Sequence, residues 1–481
     1  MQPLHILLLI GGYFSILLVI SYITNKGGSN ADFFKAGKQS PWYLVAFGMI
    51  GASLSGVTFI SVPGAVQAGS FNYFQVVLGY TLGYAVIGLV LLPLYYKLNL
   101  TSIYTYLESR FGTASYKTGA SFFLLSRITG ASFRLYLVAI VLQDLVFNAM
   151  GVPFWLTVTI TILLIWLYTF KSGIKTIVWT DTLQTLFMLI AVGVAIYYIA
   201  DGLGIGDQGI IDFIAQSDLS QIFFFDDYKS SNYFFKQFIS GIFIAIVMTG
   251  LDQDMMQKNL TCRNLKDAQK NMFWFTIVLT VVNLIFLSLG LLLTVYAEQN
   301  GIDAQKDKLF STIAMNDNFG WGIGVFFLLG LIAAAYSSAD SALTSLTTSF
   351  SIDILDIEKK HTPADQIKVR KKVHIAMSLA LVLVIVSFNY LIGDASVIEK
   401  LFIFTGYTYG PLLGLYGFGL FSKQKVKDKY VPMVAILTPF VGYGISFFSS
   451  LWFGFEFGFF ILILNGFLTY LGLVLIRAKE Y

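Results

Sequence analysis

A stretch near the middle of the second half places hydroxyl and carboxyl oxygens on an otherwise apolar segment. The segment AAAYSSADSALTSLTTSFSIDIL (333–355) repeats polar residues at the i, i+3, i+4 spacing of one helix face, and these are Ser337, Asp340, Ser341, Thr344 and Thr348. Such hard oxygen ligands suit alkali or alkaline-earth cations rather than soft metals. Serines bonded to their own helix carbonyls are the alternative, but they leave the carboxylate of Asp340 without a partner. We therefore expect an ion site here.

The segment GASLSGVTFISVPG (51–64) is a second candidate for cation binding. It combines serine, threonine, glycine and proline inside an apolar span. Glycine and proline weaken a helix, and an interrupted helix frees carbonyl oxygens that can coordinate a cation at membrane depth. Close helix packing by small residues explains the same composition equally well.

Ionisable residues inside apolar segments are further functional candidates, because such groups are costly in hydrocarbon. Asp181 within TDTLQ (180–184) and Arg134 within SFRLYLVAIVLQDL (132–145) lie well inside their segments. The acidic pair in TGLDQDMMQKNL (249–260) is expected to be a solvated cytoplasmic cap. Charges near helix ends are expected to reach the lipid head groups, and these are Arg127, Asp144, Asp252 and Asp254.

Membrane helices must position these residues. Of the 481 residues, 56% are apolar and 12% charged, and mean hydropathy is +0.74, whereas about a quarter of a soluble domain is charged. Apolar runs long enough to cross a bilayer predict about thirteen helices, at 5–24, 41–66, 73–97, 118–148, 153–170, 174–200, 233–252, 271–297, 321–352, 373–392, 398–420, 431–451 and 456–477. A bilayer offers no hydrogen-bond partners to the backbone, so the predicted fold class is an all-α polytopic membrane protein.

The basic residues predict the orientation of these helices. About 24 of the Lys and Arg residues fall in one set of connections, which we assign to the cytoplasm. We therefore expect the N-terminus outside and the C-terminus inside, in a multi-pass protein of a bacterial inner (plasma) membrane.

Several classes of function are disfavoured. The net charge of +4 is too small to indicate a nucleic-acid partner, and one cysteine with three histidines argues against a metal cage. The sequence shows no zinc-spaced histidines, no Gly-x-Ser-x-Gly motif and no phosphate-binding glycine loop, so we predict that the protein is not an enzyme. We also expect no obligate protein partner.

The order of the motifs resembles the solute:sodium symporter family over nearly the whole chain. The matching segments are LSGVTFISVPG (54–64), TDTLQ (180–184), GLDQDMMQ (250–257) and SSADSALTS (337–345), the last followed by SIDIL (351–355). The resemblance implies two inverted five-helix repeats with broken first helices, the LeuT-like fold. It divides the chain into a leading helix and loop (1–40), a first repeat (41–200), an extracellular loop (201–232), a second repeat (233–421) and two trailing helices (422–481).

Position by position, the resemblance implies a sodium site that uses backbone carbonyls of three residues and the hydroxyls of two serines, namely Gly51, Leu54, Ala334, Ser337 and Ser338. Some members hold a second sodium ion, for which the matching positions are Asp181, Ser337, Asp340 and Ser341. Asp340 departs from the family pattern, in which a hydroxyl residue is more familiar. Two carboxylates could strengthen cation binding or share a proton, so the number of Na+ ions stays open.

The pattern of the second helix is most similar to the sialic-acid-transporter branch of that family. There, hydroxyls of this helix and an arginine of the fourth helix contact the ligand, and the matching positions are Ser53, Ser55, Thr58 and Arg134. A guanidinium can grip a carboxylate bidentately, which favours an anionic solute. Arg134 could equally pair with Asp144 or with a carboxylate on another helix.

We therefore predict a sodium-coupled secondary active symporter that imports a small polar organic solute, sialic acid or another carboxylate, by alternating access. A neutral sugar or an amino acid is the alternative solute. A membrane sensor is the alternative from another class, because this fold also serves as the input module of signalling proteins. The short tail that ends at Tyr481 would then require an output domain on a partner chain.

Overall fold

Helices make up the described structure. A computed structural model of the chain describes residues 3–24, 30–170, 173–205, 209–304, 306–315, 320–391 and 397–478, and within these ranges there is no β-strand. The main helices, numbered in chain order, are α1 (Pro3–Thr24), α2 (Trp42–Ser53), α3 (Gly56–Gly69), α4 (Tyr73–Lys97), α5 (Thr113–Phe147), α6 (Phe154–Thr169), α7 (Ile174–Gly202), α8 (Phe234–Gly250), α9 (Gln253–Asn259), α10 (Leu265–Gln299), α11 (Gly320–Ser349), α12 (Pro363–Leu391), α13 (Val397–Phe421), α14 (Val431–Phe453) and α15 (Ile461–Leu475). Shorter helices lie at Asn30–Lys35, Thr105–Arg110, Ile210–Ala215, Leu309–Ala314 and Ile357–Lys360.

Every apolar stretch predicted to cross the membrane coincides with one of these helices or with a bent helix pair. Over the part of the chain that the structure describes, nine helices are long and apolar enough to span a bilayer, or eleven spans if each bent pair counts as one. The shorter apolar helix α6 and helix α13 hold the two remaining predicted stretches. The prediction of an all-α polytopic membrane protein is confirmed.

Two spans are broken in the middle. Helices α2 and α3 meet at an angle of 57°, and α8 and α9 meet at 69°. These are the first helices of the two predicted repeats, where the resemblance places breaks. At the second break Asp252 turns the chain into α9, because its side chain accepts hydrogen bonds from the backbone N–H groups of Asp254 and Met255. The division into repeats at 41–200 and 233–421 stays a prediction.

The helix breaks lie in the interior of the bundle. Helix α7 packs along α11, while α2 lies against both of them and α3 packs on α10. Helix α5 lies beside α11 and α13. The end of α2 therefore meets the hydroxyl-bearing face of α11 away from lipid.

Candidate sodium and solute sites

The break between α2 and α3 exposes backbone carbonyls. The last backbone hydrogen bond of α2 runs from the Leu54 N–H to the Ile50 carbonyl at 2.8 Å, and the first of α3 runs from the Phe59 N–H to the Ser55 carbonyl at 3.0 Å. A helix end leaves its last carbonyls without intrahelical donors. The carbonyls of Gly51 and Leu54, two of the predicted sodium ligands, therefore lack a backbone donor and can bind a cation.

The hydroxyl face of α11 lies against this break. Ser337 and Ser338 are buried, and the Ser338 hydroxyl is 3.5 Å from the carbonyl oxygen of Ala52. A Cβ placed on Gly51 would lie 3.4 Å from the Ser337 oxygen, an ordinary van der Waals distance, and would clash with the Thr185 hydroxyl of α7. The start of α3 is equally close to α11, because a Cβ on Gly56 would lie 3.8 Å from Ala335. The two elements of the predicted first sodium site are thus brought together.

Asp181 and Asp340, predicted for a second cation, have different partners. Asp181 accepts hydrogen bonds from Ser337 at 2.8 Å and from Ser341 at 3.4 Å, and its Oδ2 lies 2.7 Å from the Nζ of Lys258. Asp340 accepts from the Tyr168 hydroxyl at 2.8 Å and from the backbone N–H of Ser341 at 2.5 Å. A lysine ammonium therefore stands at one of the two carboxylates.

The four predicted solute-binding residues line one cavity. Ser53, Ser55 and Thr58 reach it from the break between α2 and α3, and Arg134 reaches it from α5. Other polar residues of its wall are Tyr73, Tyr80, Tyr84, Arg127, Thr249 and Asn283. Hydroxyl and guanidinium groups line this cavity together, so it is the candidate solute site.

Arg134 brings an uncompensated positive charge to this cavity. Within the ranges that the structure describes, no hydrogen bond or ion pair engages its guanidinium, and its buried Nε has no partner. Asp144, the alternative partner on the same helix, instead accepts a hydrogen bond from Asn148 at 3.1 Å. The intrahelical pair between Arg134 and Asp144 is therefore not formed.

The second arginine of the cavity wall is neutralised, contrary to expectation. Arg127 is ion-paired to Asp254, and its NH1 lies 3.9 Å from Asp252. Asp252 also accepts a 2.5 Å hydrogen bond from the Tyr409 hydroxyl. The prediction that these three charges reach the lipid head groups is wrong, because they pair with one another in the interior. Asp144 is exposed, as expected for a helix end.

The sequence does not predict that Lys258 lies in the interior of the protein. The sequence assigns it to a cytoplasmic basic loop, yet the bend at Asp252 directs α9 inward and leaves only 1% of Lys258 exposed. The i, i+4 spacing of Asp254 and Lys258 indicated one helical turn, but a turn of this kind usually lies at a surface. Only the position of α9 reveals the buried ion pair with Asp181.

A second cavity adjoins the solute site. It is lined by residues of α3 and by residues of two loops, including Ser61, Asn232, Lys306 and Asp307. Tyr73 belongs to the walls of both cavities, and its hydroxyl lies 3.2 Å from that of Tyr80. Tyr73 therefore separates the candidate solute site from the cavity at those loops.

A broken-helix bundle with an oxygen-lined break and a polar interior cavity defines a cation-coupled secondary transporter. Residues 33–425 match the sequence profile of the "Sodium:solute symporter family". Because this match covers most of the chain, the protein belongs to the sodium:solute symporter family. It is a multi-pass membrane protein that uses Na+ as its coupling ion, and the prediction that it is not an enzyme is confirmed by this membership.

Two bacterial relatives resemble the chain over most of its length. The sodium/sialic acid symporter NanT of Aliivibrio fischeri is 25% identical over 430 residues, which are 85% of this chain and 81% of that protein. The sodium/sialic acid symporter SiaT of Proteus mirabilis is 26% identical over 466 residues, which are 91% and 90% of the two chains. A solved structure of a Na+-coupled sialic acid symporter, in a substrate-bound outward-open state, covers 99% of both chains with a TM-score of 0.81 at 21% identity. This likeness confirms the fold.

Proposed function

We propose that this symporter couples the entry of Na+ to the uptake of sialic acid or a closely related hydroxylated carboxylate. The unpaired guanidinium of Arg134 in the interior cavity carries this proposal. Arg134 is partly buried and its guanidinium has no counter-ion, and a carboxylate that binds it bidentately would supply one. The resemblance to two sialic acid symporters supports the same solute class.

The direct pairing of the charges around the cavity leaves one guanidinium for a carboxylate. Arg127 is paired with two aspartates, so that side of the cavity carries net negative charge and offers no free cation. Arg134 is then the group that selects for charge. The hydroxyls of Ser53, Ser55 and Thr58 can exchange hydrogen bonds with the hydroxyl groups of the solute.

For the coupling ion, we assign the carbonyls of Gly51, Leu54 and Ala334 and the hydroxyls of Ser337 and Ser338. The open carbonyls at the break and the proximity of Ser337 to Gly51 support this set. The site lies beside the solute cavity, because Leu54 and Ser53 also line that cavity. Binding of Na+ therefore fixes the geometry of the helix break that presents hydroxyls to the solute.

Alternating access follows from the two ends of the cavity. We assign the loops with Asn232 and Lys306 to the outside, so that solute enters past Tyr73. The network of Arg127, Asp252 and Asp254 closes the opposite end. Entry of one Na+ across 100 mV contributes about 2.3 kcal/mol to this uptake. The distribution of basic residues and the bacterial relatives support a bacterial inner membrane, with the N-terminus outside and the C-terminus in the cytoplasm.

The test is uptake of radiolabelled N-acetylneuraminate into proteoliposomes with an inward Na+ gradient, compared with an equal K+ gradient. Sodium-dependent uptake that Arg134→Gln removes is expected. Arg263→Gln, which removes an exposed guanidinium on a loop, is the matched control and should transport normally. Sodium-dependent uptake of glucose or proline instead would replace the proposed solute, and solute binding without uptake would favour a sensor.

A further inference from the structure

Lys258 occupies the place where a second coupling cation is expected. Its Nζ is 2.7 Å from Oδ2 of Asp181, and both side chains are buried. The same carboxylate accepts hydrogen bonds from Ser337 and Ser341. One carboxylate that the sequence assigns to a second sodium ion is thus already paired with a positive charge that belongs to the chain.

The charges of this region balance with one sodium ion. With both carboxylates ionised, Asp181 and Asp340 contribute two negative charges, and Lys258 contributes one positive charge. The first sodium site shares Ser337 with Asp181, so one Na+ there neutralises the remaining negative charge. A second Na+ beside Lys258 would leave an excess positive charge in a buried region, which is unfavourable.

We propose that the ammonium of Lys258 takes the place of a second Na+ at Asp181, so that this symporter couples one Na+ to each solute molecule. The proposal rests on the first sodium site of the proposed function. It makes Lys258 a determinant of ion stoichiometry rather than a ligand of the solute. The highest solute concentration ratio across the membrane then scales with the Na+ concentration ratio itself and not with its square.

The test needs no knowledge of the solute. The midpoint of thermal unfolding of the full-length, detergent-purified protein is titrated with NaCl at constant ionic strength, because stabilisation reports ions bound to the folded state. Well above the dissociation constant, the stabilisation free energy rises by RT per unit of ln[Na+] for each ion bound, so this slope in units of RT is a coefficient that counts ions. The wild type should give a coefficient of about 1, and Lys258→Met should give about 2 because Na+ fills the vacated position. Lys258→Arg keeps the charge and should stay at about 1.

Lys236→Met is the matched control for the loss of a buried lysine. Lys236 is buried, but its Nζ binds the backbone carbonyls of Lys229 and Glu456 at 2.8 and 2.9 Å. Neither residue belongs to the group of side chains around Asp181. This variant should keep the sodium dependence of the wild type. A wild-type coefficient of about 2, or an unchanged coefficient in folded Lys258→Met, overturns the proposal.

Direct counting of bound ions decides the matter if Lys258→Met does not fold. Equilibrium binding of ²²Na+ to the wild-type protein should saturate at one ion per chain, and two ions per chain would refute the proposal. Failure of the underlying site has a different signature. If Na+ still stabilises the double variant Ser337→Ala/Ser338→Ala, the first sodium site is misassigned. The number of ions bound to the wild type separately tests whether Lys258 takes the place of a second Na+.

Discussion

The hydroxyl of Ser337 donates a 2.8 Å hydrogen bond to Oδ1 of Asp181, which joins the proposed sodium site to the buried pair of Asp181 and Lys258. A serine hydroxyl has one proton and two acceptor lone pairs. Because the proton is directed to Asp181, the lone pairs remain for a cation at the helix break. The ion pair therefore orients a sodium ligand without touching the ion, as groups behind a metal ligand commonly do.

The first prediction concerns the hydroxyl ligands. Ser337→Ala combined with Ser338→Ala removes two of the five proposed ligands. The Na+ concentration that gives half-maximal uptake should rise by at least about 100-fold. The measurement is the initial rate of solute uptake as a function of Na+ concentration. Ser345→Ala is the control, since that buried hydroxyl of the same helix only binds the Ala342 carbonyl. Normal sodium stimulation in the double variant would contradict the site.

The second prediction concerns the ion pair. Asp181→Asn leaves the ammonium of Lys258 buried without its counter-ion, so it should destabilise the protein by about 3–5 kcal/mol. Adding Lys258→Met to Asp181→Asn should recover most of that loss, because both charges are then gone. Thermal unfolding in a sodium-free buffer ranks the variants by stability. If the stability losses of the single variants Asp181→Asn and Lys258→Met simply add in the double variant, the two residues do not interact.

The third prediction separates the two arginines of the cavity wall. Arg127→Gln should lower the stability of the solute-free protein by about 3–5 kcal/mol, because Asp252 and Asp254 lose their buried counter-charge. Arg134→Gln removes an unpaired charge and should leave that stability unchanged or raised.

Thermal unfolding with and without N-acetylneuraminate checks this contrast. The wild type, Arg127→Gln and the Arg263→Gln control should be stabilised by the solute, whereas Arg134→Gln should not, since it lacks the anchor. A large loss of stability in solute-free Arg134→Gln would show that its guanidinium is already paired, and would remove the argument for an anionic solute.

The sequence predicts the helices and one helix break well, for physical reasons. A membrane helix needs a long apolar run, and that signal is local in the chain. The break at residues 54–55 falls within the Gly- and Ser-rich segment of α2 and α3, where helix propensity is weak. The hydroxyl spacing on α11 is likewise a property of one helix.

Pairing between distant helices is what the sequence does not reveal. Arg127 and Asp254 are separated by 127 positions, and a long loop and the whole of α8 lie between Asp181 and Lys258, so no local pattern links these pairs. Five of the seven residues of helix α9 have charged or amide side chains, and such a composition is typical of a solvated segment. Its burial is set by the 69° bend before it, which only the packed structure determines.

The last prediction tests the close approach of α2 to the hydroxyl face. Gly51→Ala places a methyl group against the Thr185 hydroxyl and 3.4 Å from the Ser337 oxygen. Thr185 cannot easily turn away, because its hydroxyl is bonded to the carbonyls of Phe47 and Asp181 at 3.0 and 2.7 Å. The end of α2 must therefore shift away from α7, which displaces the carbonyls that the proposed sodium site uses.

We expect Gly51→Ala to lower sodium affinity by about tenfold or more, and to cost about 1–3 kcal/mol of stability through overpacking. Gly193→Ala on α7 is the matched control, because a methyl group there meets no atom within 4 Å. That change should be neutral or stabilise the helix by up to about 1 kcal/mol. Sodium titrations of thermal unfolding and of uptake measure both effects. Wild-type sodium dependence in Gly51→Ala would place the coupling ion away from the break, since a site built from the carbonyls of α2 cannot tolerate their displacement.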